Sequence, residues 1–129
     1  MKQYRFIMWT VTFFLAPVIA TAGDYASQLA NKRLVMKKAE HAGMQFKGKE
    51  TLLGFAELTQ EEPVFEARVR WIEDDLFLAT EKGRSSEKCP PRNWLYRVLK
   101  VSGQTVTLKE YWTGWPDAKD DVSEYRLAP

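Results

Sequence analysis

A chain of 129 residues, 45% apolar and 28% charged, is long enough for one domain with a core that needs no covalent staples. Lys2 and Arg5 are two of its 19 basic residues; the other 17 match the 17 acidic ones, so the net charge of +2 belongs to the first few residues. The rest, near neutral with interspersed signs, gives no basic footprint for nucleic acid and no polybasic patch for a membrane surface.

Residues 1–22 read as a secretory signal peptide. Lys2 and Arg5 form the basic start, Phe6 to Ala16 is almost wholly apolar, Pro17 breaks any helix, and Ala20-Thr21-Ala22 presents small residues for cleavage after Ala22. The apolar run is shorter than a membrane-spanning helix requires, and no cysteine lies near Ala22 for lipid attachment, so no stable membrane anchor is expected after cleavage. The expected product is a periplasmic or secreted bacterial protein, soluble, with Gly23 to Pro129 as one domain.

Gly23 to Arg33 is polar with scattered Ala and Leu, either a short helix or an irregular entry segment. Short β-type runs follow. Leu34-Val35-Met36 is a first strand, His41-Ala42-Gly43 a turn, and Met44 and Phe46 alternate with Gln45 and Lys47 in a period of two. Thr51 to Leu58 is apolar and strand-like, with Gly54 marking a bulge or a close approach. Phe65, Ala67, Val69 and Trp71 share one face of the clearest strand, and Glu73-Asp74-Asp75 turns it into a hairpin with Leu76 to Thr80. Glu81 to Asn93, with Gly, Ser and paired Pro, is a surface loop. Trp94 to Val101 and Thr105 to Trp112 are strands joined by a Ser-Gly-Gln turn, Thr113 to Asp121 is a second loop, and Val122 to Leu127 is a closing strand. About seven or eight strands with almost no helix predict an all-β meander barrel or sandwich.

Three stretches carry a resemblance: Gly43-Met44-Gln45-Phe46; Arg70-Trp71-Ile72-Glu73-Asp74-Asp75-Leu76; and the strand–turn–strand from Tyr96 through Ser102-Gly103-Gln104 to Thr107-Leu108. In this order they resemble the small bacterial lipocalin-like domains of the calycin type, over most of Leu34 to Leu127. The Gly-x-Trp of the better-defined lipocalins is replaced by Asn31-Lys32-Arg33-Leu34. The resemblance implies a barrel that holds a small apolar ligand at its mouth.

The residues themselves point to no catalytic constellation. His41 is the only histidine and reads as a polar turn residue; two carboxylates beside it in a cleft would reopen an enzymatic reading. Met36, His41 and Met44 offer copper-type donors, but both methionines stand where strand cores need them. Glu73-Asp74-Asp75 and Asp117, Asp120 and Asp121 lack calcium-loop spacing and read as solvated turns. No metal and no cofactor is expected. Cys89, the single cysteine, excludes an intramolecular disulfide; it is an inert small residue in preference to a thiol that joins a second chain.

The aromatic residues are the best functional signal. Trp71, Trp94 and Tyr96 belong to the barrel interior or its mouth, while Trp112 and Trp115 flank an exposed loop where large rings anchor ligands or partners. Arg68 and Arg70 share the outer face of one strand, with Arg97 as a neighbour that would complete a basic strip able to meet a carboxylate or phosphate. The expectation is a non-enzymatic binding protein for a small apolar ligand or a protein partner. The alternative is a cell-envelope accessory protein, an inhibitor or assembly factor, acting by protein–protein contact through an exposed strand edge. A ligand binder needs an enclosed cavity of a few hundred Å³; a partner binder needs a filled barrel and an apolar patch at Trp112 and Trp115.

Overall fold

A computed structural model describes residues 24–83, 88, 90–112 and 117–128. The leader 1–22, Cys89 and Trp115 lie outside the described residues. A short helix, α1 (Tyr25–Leu29), precedes eight strands: β1 (Arg33–Met36), β2 (Gly43–Lys47), β3 (Thr51–Phe55), β4 (Phe65–Glu73), β5 (Leu76–Glu81), β6 (Asn93–Ser102), β7 (Thr105–Tyr111) and β8 (Asp121–Ala128). Each strand pairs antiparallel with its neighbour in the chain, and β8 pairs with β1 to close the barrel.

Period-two alternation explains why these segments roll up together. Leu34, Met44, Phe46, Leu52, Ala67, Val69, Phe77, Ala79, Val98, Val106 and Leu108 are buried in one continuous core, whereas the intervening residues of β4, Glu66, Arg68 and Arg70, are exposed. Closing the sheet gives every strand two partners and leaves no unpaired edge among the described strands. The strand-edge contact expected for an accessory protein therefore has no free edge to use.

Two bulges adjust the phase. The register slips between Trp71 and Glu73 at the β4–β5 turn, and between Val98 and Lys100 in β6. The second puts Leu99 outside and lets both Val98 and Val101 pack against the core. Gly54 is a close approach rather than a bulge: a Cβ there would lie 2.0 Å from the Phe65 ring, which faces it across β3 and β4. Gly43 is equally confined, since its Cβ would meet the Leu34 carbonyl oxygen at 1.9 Å.

Some boundaries differ from expectation. The strand from Thr51 ends at Phe55, because the Ala56 carbonyl accepts from the Thr59 and Gln60 N–H groups and curls the chain into a turn. Leu58 is consequently 97% exposed. Glu81 belongs to β5 and is buried, held by the Arg92 guanidinium at 2.5 Å, so the surface loop begins after it.

The two ends of the barrel are unlike. At one end lie α1, whose Leu29 is fully buried in the core, and the short connections 48–50, 74–75 and 103–104. At the other end β1, β3, β5 and β7 give way to the longer connections of the chain, with 37–42 and 56–64 described throughout.

Candidate functional site

The aromatic side chains divide the lumen. In the half nearer α1, Phe46, Trp71 and Phe77 fill the interior: Phe77 meets Phe46 edge-on at 5.4 Å and Trp71 at 4.9 Å, and Phe46 lies 6.4 Å from Trp71. Tyr96 continues the column, stacked 5.2 Å from Phe77. Toward the longer loops the filling stops. Phe65 and Trp94 stack face to face at 4.5 Å, and a cavity of about 270 Å³ opens beside them, walled by Met36, Met44, Phe65, Trp94, Tyr96 and Tyr125 and edged by Glu110, Asp121 and Ser123. An eight-stranded barrel has room for its own side chains or for one small ligand. This one is filled at one end and hollow at the other.

The rim is held by polar contacts. Arg92 bonds the buried Glu81 carboxylate and lies 5.2 Å from the Trp94 ring and 5.7 Å from Phe65, so the aromatic pair is roofed by a cation already committed to an anion. Arg33 stacks 4.2 Å over Phe55 and donates to the carbonyls of His41 and Gln60, tying two rim connections together. One Glu57 oxygen accepts from the backbone N–H groups of His41 (2.6 Å) and Ala42 (2.8 Å), and these bonds hold its carboxyl below the usual carboxylate range. His41 therefore has both Glu40, at 3.9 Å from its Nε2, and Glu57 for neighbours, but on a partly exposed turn, and Glu57 serves its main chain instead of its ring.

Inside the mouth, burial pushes the Glu110 carboxyl up, and the neighbouring Asp121 charge adds to the effect. Burial also raises the Tyr96 and Tyr125 hydroxyls, with Glu110 as the next cause in both; Tyr125 is pushed up to about 12. At neutral pH both phenols are hydrogen-bond donors beside a carboxylate pair.

Of the aromatic residues singled out from the sequence, Trp94 and Tyr96 wall the cavity together. Trp71 belongs to the filled half, with its indole Nε1 buried and without a hydrogen-bond partner. Trp112 is half exposed just beyond β7, its backbone N–H donating to Asp120 Oδ1 at 3.2 Å. Met36 and Met44 line the cavity, and among the described residues no group of three or more His, Cys, Asp and Glu side chains could hold a metal ion.

Arg68 and Arg70 lie outside the barrel. With Lys49 and Lys82 they line a groove of about 680 Å³ on the outer face of the β3–β4 region. Lys82 is paired there with Glu66 at 3.0 Å. Arg97 does not join this strip. Its guanidinium donates to the Tyr111 hydroxyl (3.1 Å), to Asp75 (2.7 Å) and to Glu73 (3.3 Å), bonds that favour its charged form and commit it to the β4–β5 turn.

Glu110 was not singled out from the sequence, and Asp121 was read as part of a solvated acidic loop. The signal that identifies Glu110 is its phase: Val106, Leu108 and Glu110 share one face of Thr105 to Trp112, so an acid stands where the alternation asks for an apolar side chain. Comparisons with protein-family models, curated proteins and solved structures return no match to the chain.

Proposed function

We propose that this is an exported, non-enzymatic binding protein, similar in plan to the small lipocalin-like barrels, that receives one small molecule with an apolar body in its open end. One observation carries the reading: the lumen is packed with rings near α1 and empty beside the Phe65–Trp94 stack, leaving about 270 Å³ walled by aromatic and thioether side chains. That volume is near the lower end of small-molecule sites, roughly 300–1,000 Å³, which favours a compact ligand of about one ring and a short chain.

Native mass spectrometry of the protein purified from its own host tests this, together with calorimetric titration of two neutral probes, indole and 2-phenylethanol. A retained small molecule, or saturable probe binding abolished by Ala42→Trp at the cavity edge, supports the reading. A bare protein that takes up neither probe, nor a charged analogue of either, at millimolar concentration overturns it.

A second reading is favoured by the outer groove. Arg68, Arg70 and Lys49 make no ion pair among the described residues, and a cationic, Trp-edged concavity suits an acidic protein surface. In that reading the protein is an envelope accessory factor acting through its outer face, and Arg68→Glu/Arg70→Glu abolishes capture of its partner without altering the lumen.

A further inference from the structure

Glu110 and Asp121 stand directly opposite each other in the β7–β8 ladder, and Glu110 stands opposite Tyr96 in the β6–β7 ladder. Tyr96, Glu110 and Asp121 therefore form one row across three strands at the cavity. Two carboxylates placed as a cross-strand pair repel each other. Neither makes an ion pair among the described residues: Lys37 and Lys38 line a neighbouring concavity with Asp121, but Lys37 is paired there with Glu124. Lys109 points to the other face of β7, over the Tyr111 ring, and reaches Asp120 instead. Asp121 accepts only the Ser123 hydroxyl, at 3.1 Å, and Glu110 has neither an ion pair nor a hydrogen bond among the described residues.

A second feature points into the same space. Tyr125 is more than nine-tenths buried and lines the cavity, yet its hydroxyl has no hydrogen-bond partner among the described residues. That oxygen is not shut off from the cavity space, and beside an unpaired carboxylate it is free to accept a hydrogen bond from a donor that enters. The remaining wall is carbon: Phe65, on β4 across the barrel, stacked on Trp94, with Met36 and Met44.

From this arrangement, and resting on the reading of the lumen as a ligand site, we infer that the ligand is a small organic cation. Its ammonium group sits against Glu110 and Asp121 within reach of the Tyr125 hydroxyl, and its apolar body lies on the Phe65–Trp94 pair. Each part of the wall has its role. The carboxylates supply the missing counter-charge and repel anions, and the ring faces attract cations through their quadrupoles. A metal ion fits poorly, since calcium takes about six to eight oxygen ligands and most of this wall is hydrocarbon. The raised protonation range of Glu110 agrees with a carboxylate awaiting a cation.

The test is isothermal titration calorimetry at neutral pH and low salt with three probes of one shape: 2-phenylethylammonium, its neutral isostere 2-phenylethanol, and the anion 3-phenylpropanoate. The ammonium is expected to bind about tenfold or more tightly than the alcohol, and the anion most weakly. Glu110→Gln and Asp121→Asn should each weaken the ammonium by roughly three- to tenfold and leave the alcohol unchanged; Asp121 is exposed, so its variant folds even if the other does not. Equal binding of ammonium and alcohol overturns the cation assignment and leaves the lumen reading standing. Ammonium binding unaffected by both variants also overturns it. Calcium chloride alone giving binding heat that both variants abolish makes the pair a metal site and overturns it too. No binding of any probe at millimolar concentration overturns both the cation assignment and the lumen reading.

Discussion

Gly54→Ala is the sharpest test of how the open half of the barrel is built. The new methyl would lie 2.0 Å from Cε1 and 2.2 Å from Cζ of Phe65, where carbon contacts are optimal at about 3.5–4.0 Å. The β3 and β4 backbones are fixed by their ladder, so the ring must give way. Displacing it from its rotamer well costs about 0.5–1.5 kcal/mol, and parting it from Trp94, 4.5 Å away, forfeits about 0.5–1.5 kcal/mol. Replacing a strand glycine by alanine returns about 0.5–1 kcal/mol through the unfolded chain. The net expectation is a loss of about 1 kcal/mol, read by urea denaturation with an unchanged slope. The discriminating measurement is the same substitution in a Phe65→Ala background. With no ring to meet, alanine at position 54 should become neutral or stabilising by about 0.5–1 kcal/mol. An equal loss in both backgrounds would refute the close approach as the reason for the glycine.

Three further outcomes follow from contacts already described. Phe77→Ala, at a fully buried ring touching Phe46, Trp71 and Tyr96, should cost about 3–5 kcal/mol in denaturant unfolding; a loss below about 1 kcal/mol would contradict a packed lower half. Glu57, whose carboxyl is held low by two N–H groups, contributes stability that is present above its unfolded value of 4.5 and lost as pH falls through the lower folded value; Glu57→Gln should flatten that acid limb of melting temperature against pH. Glu110 carries the opposite sign. Its folded carboxyl titrates above the unfolded 4.5, so between the two values the folded state holds the proton, and stability declines as pH rises through that window. Glu110→Gln should remove this decline and raise the melting temperature at neutral pH, and a lower one would contradict an unpaired, desolvated carboxylate.

The meander was legible where one face is buried and the other wet. Phe65-Ala67-Val69-Trp71 against Glu66-Arg68-Arg70 marks β4 because only an extended chain separates those two sets. Closure was not legible: Leu34 meets Leu127 across the whole length of the domain, and no local pattern distinguishes a barrel seam from the edges of a sandwich. Thr51 to Leu58 misled because hydrophobicity continues past Phe55 while the backbone bonding does not. Glu81 looked like loop because an acid is normally solvated, and its partner Arg92 stands on the far side of that loop. The site fared likewise. Trp94 and Tyr96 were found by composition, but the division of the lumen into a filled and an empty half depends on which rings touch, a three-dimensional fact. Glu110 and Asp121 meet only through register.

The β1–β8 seam has a kinetic meaning. A chain that emerges amino end first, from a ribosome or a pore, exposes Arg33–Met36 early and must wait for Asp121–Ala128 before that strand gains its second neighbour. Until then the growing sheet has two open margins and cannot shut around its rings. Completion waits for β8, so the wall shuts in a late step that depends on contacts between distant positions and is correspondingly slow. On the ligand-binding reading proposed above, the small molecule therefore enters a finished vessel through its mouth, or is caught at the moment the wall shuts.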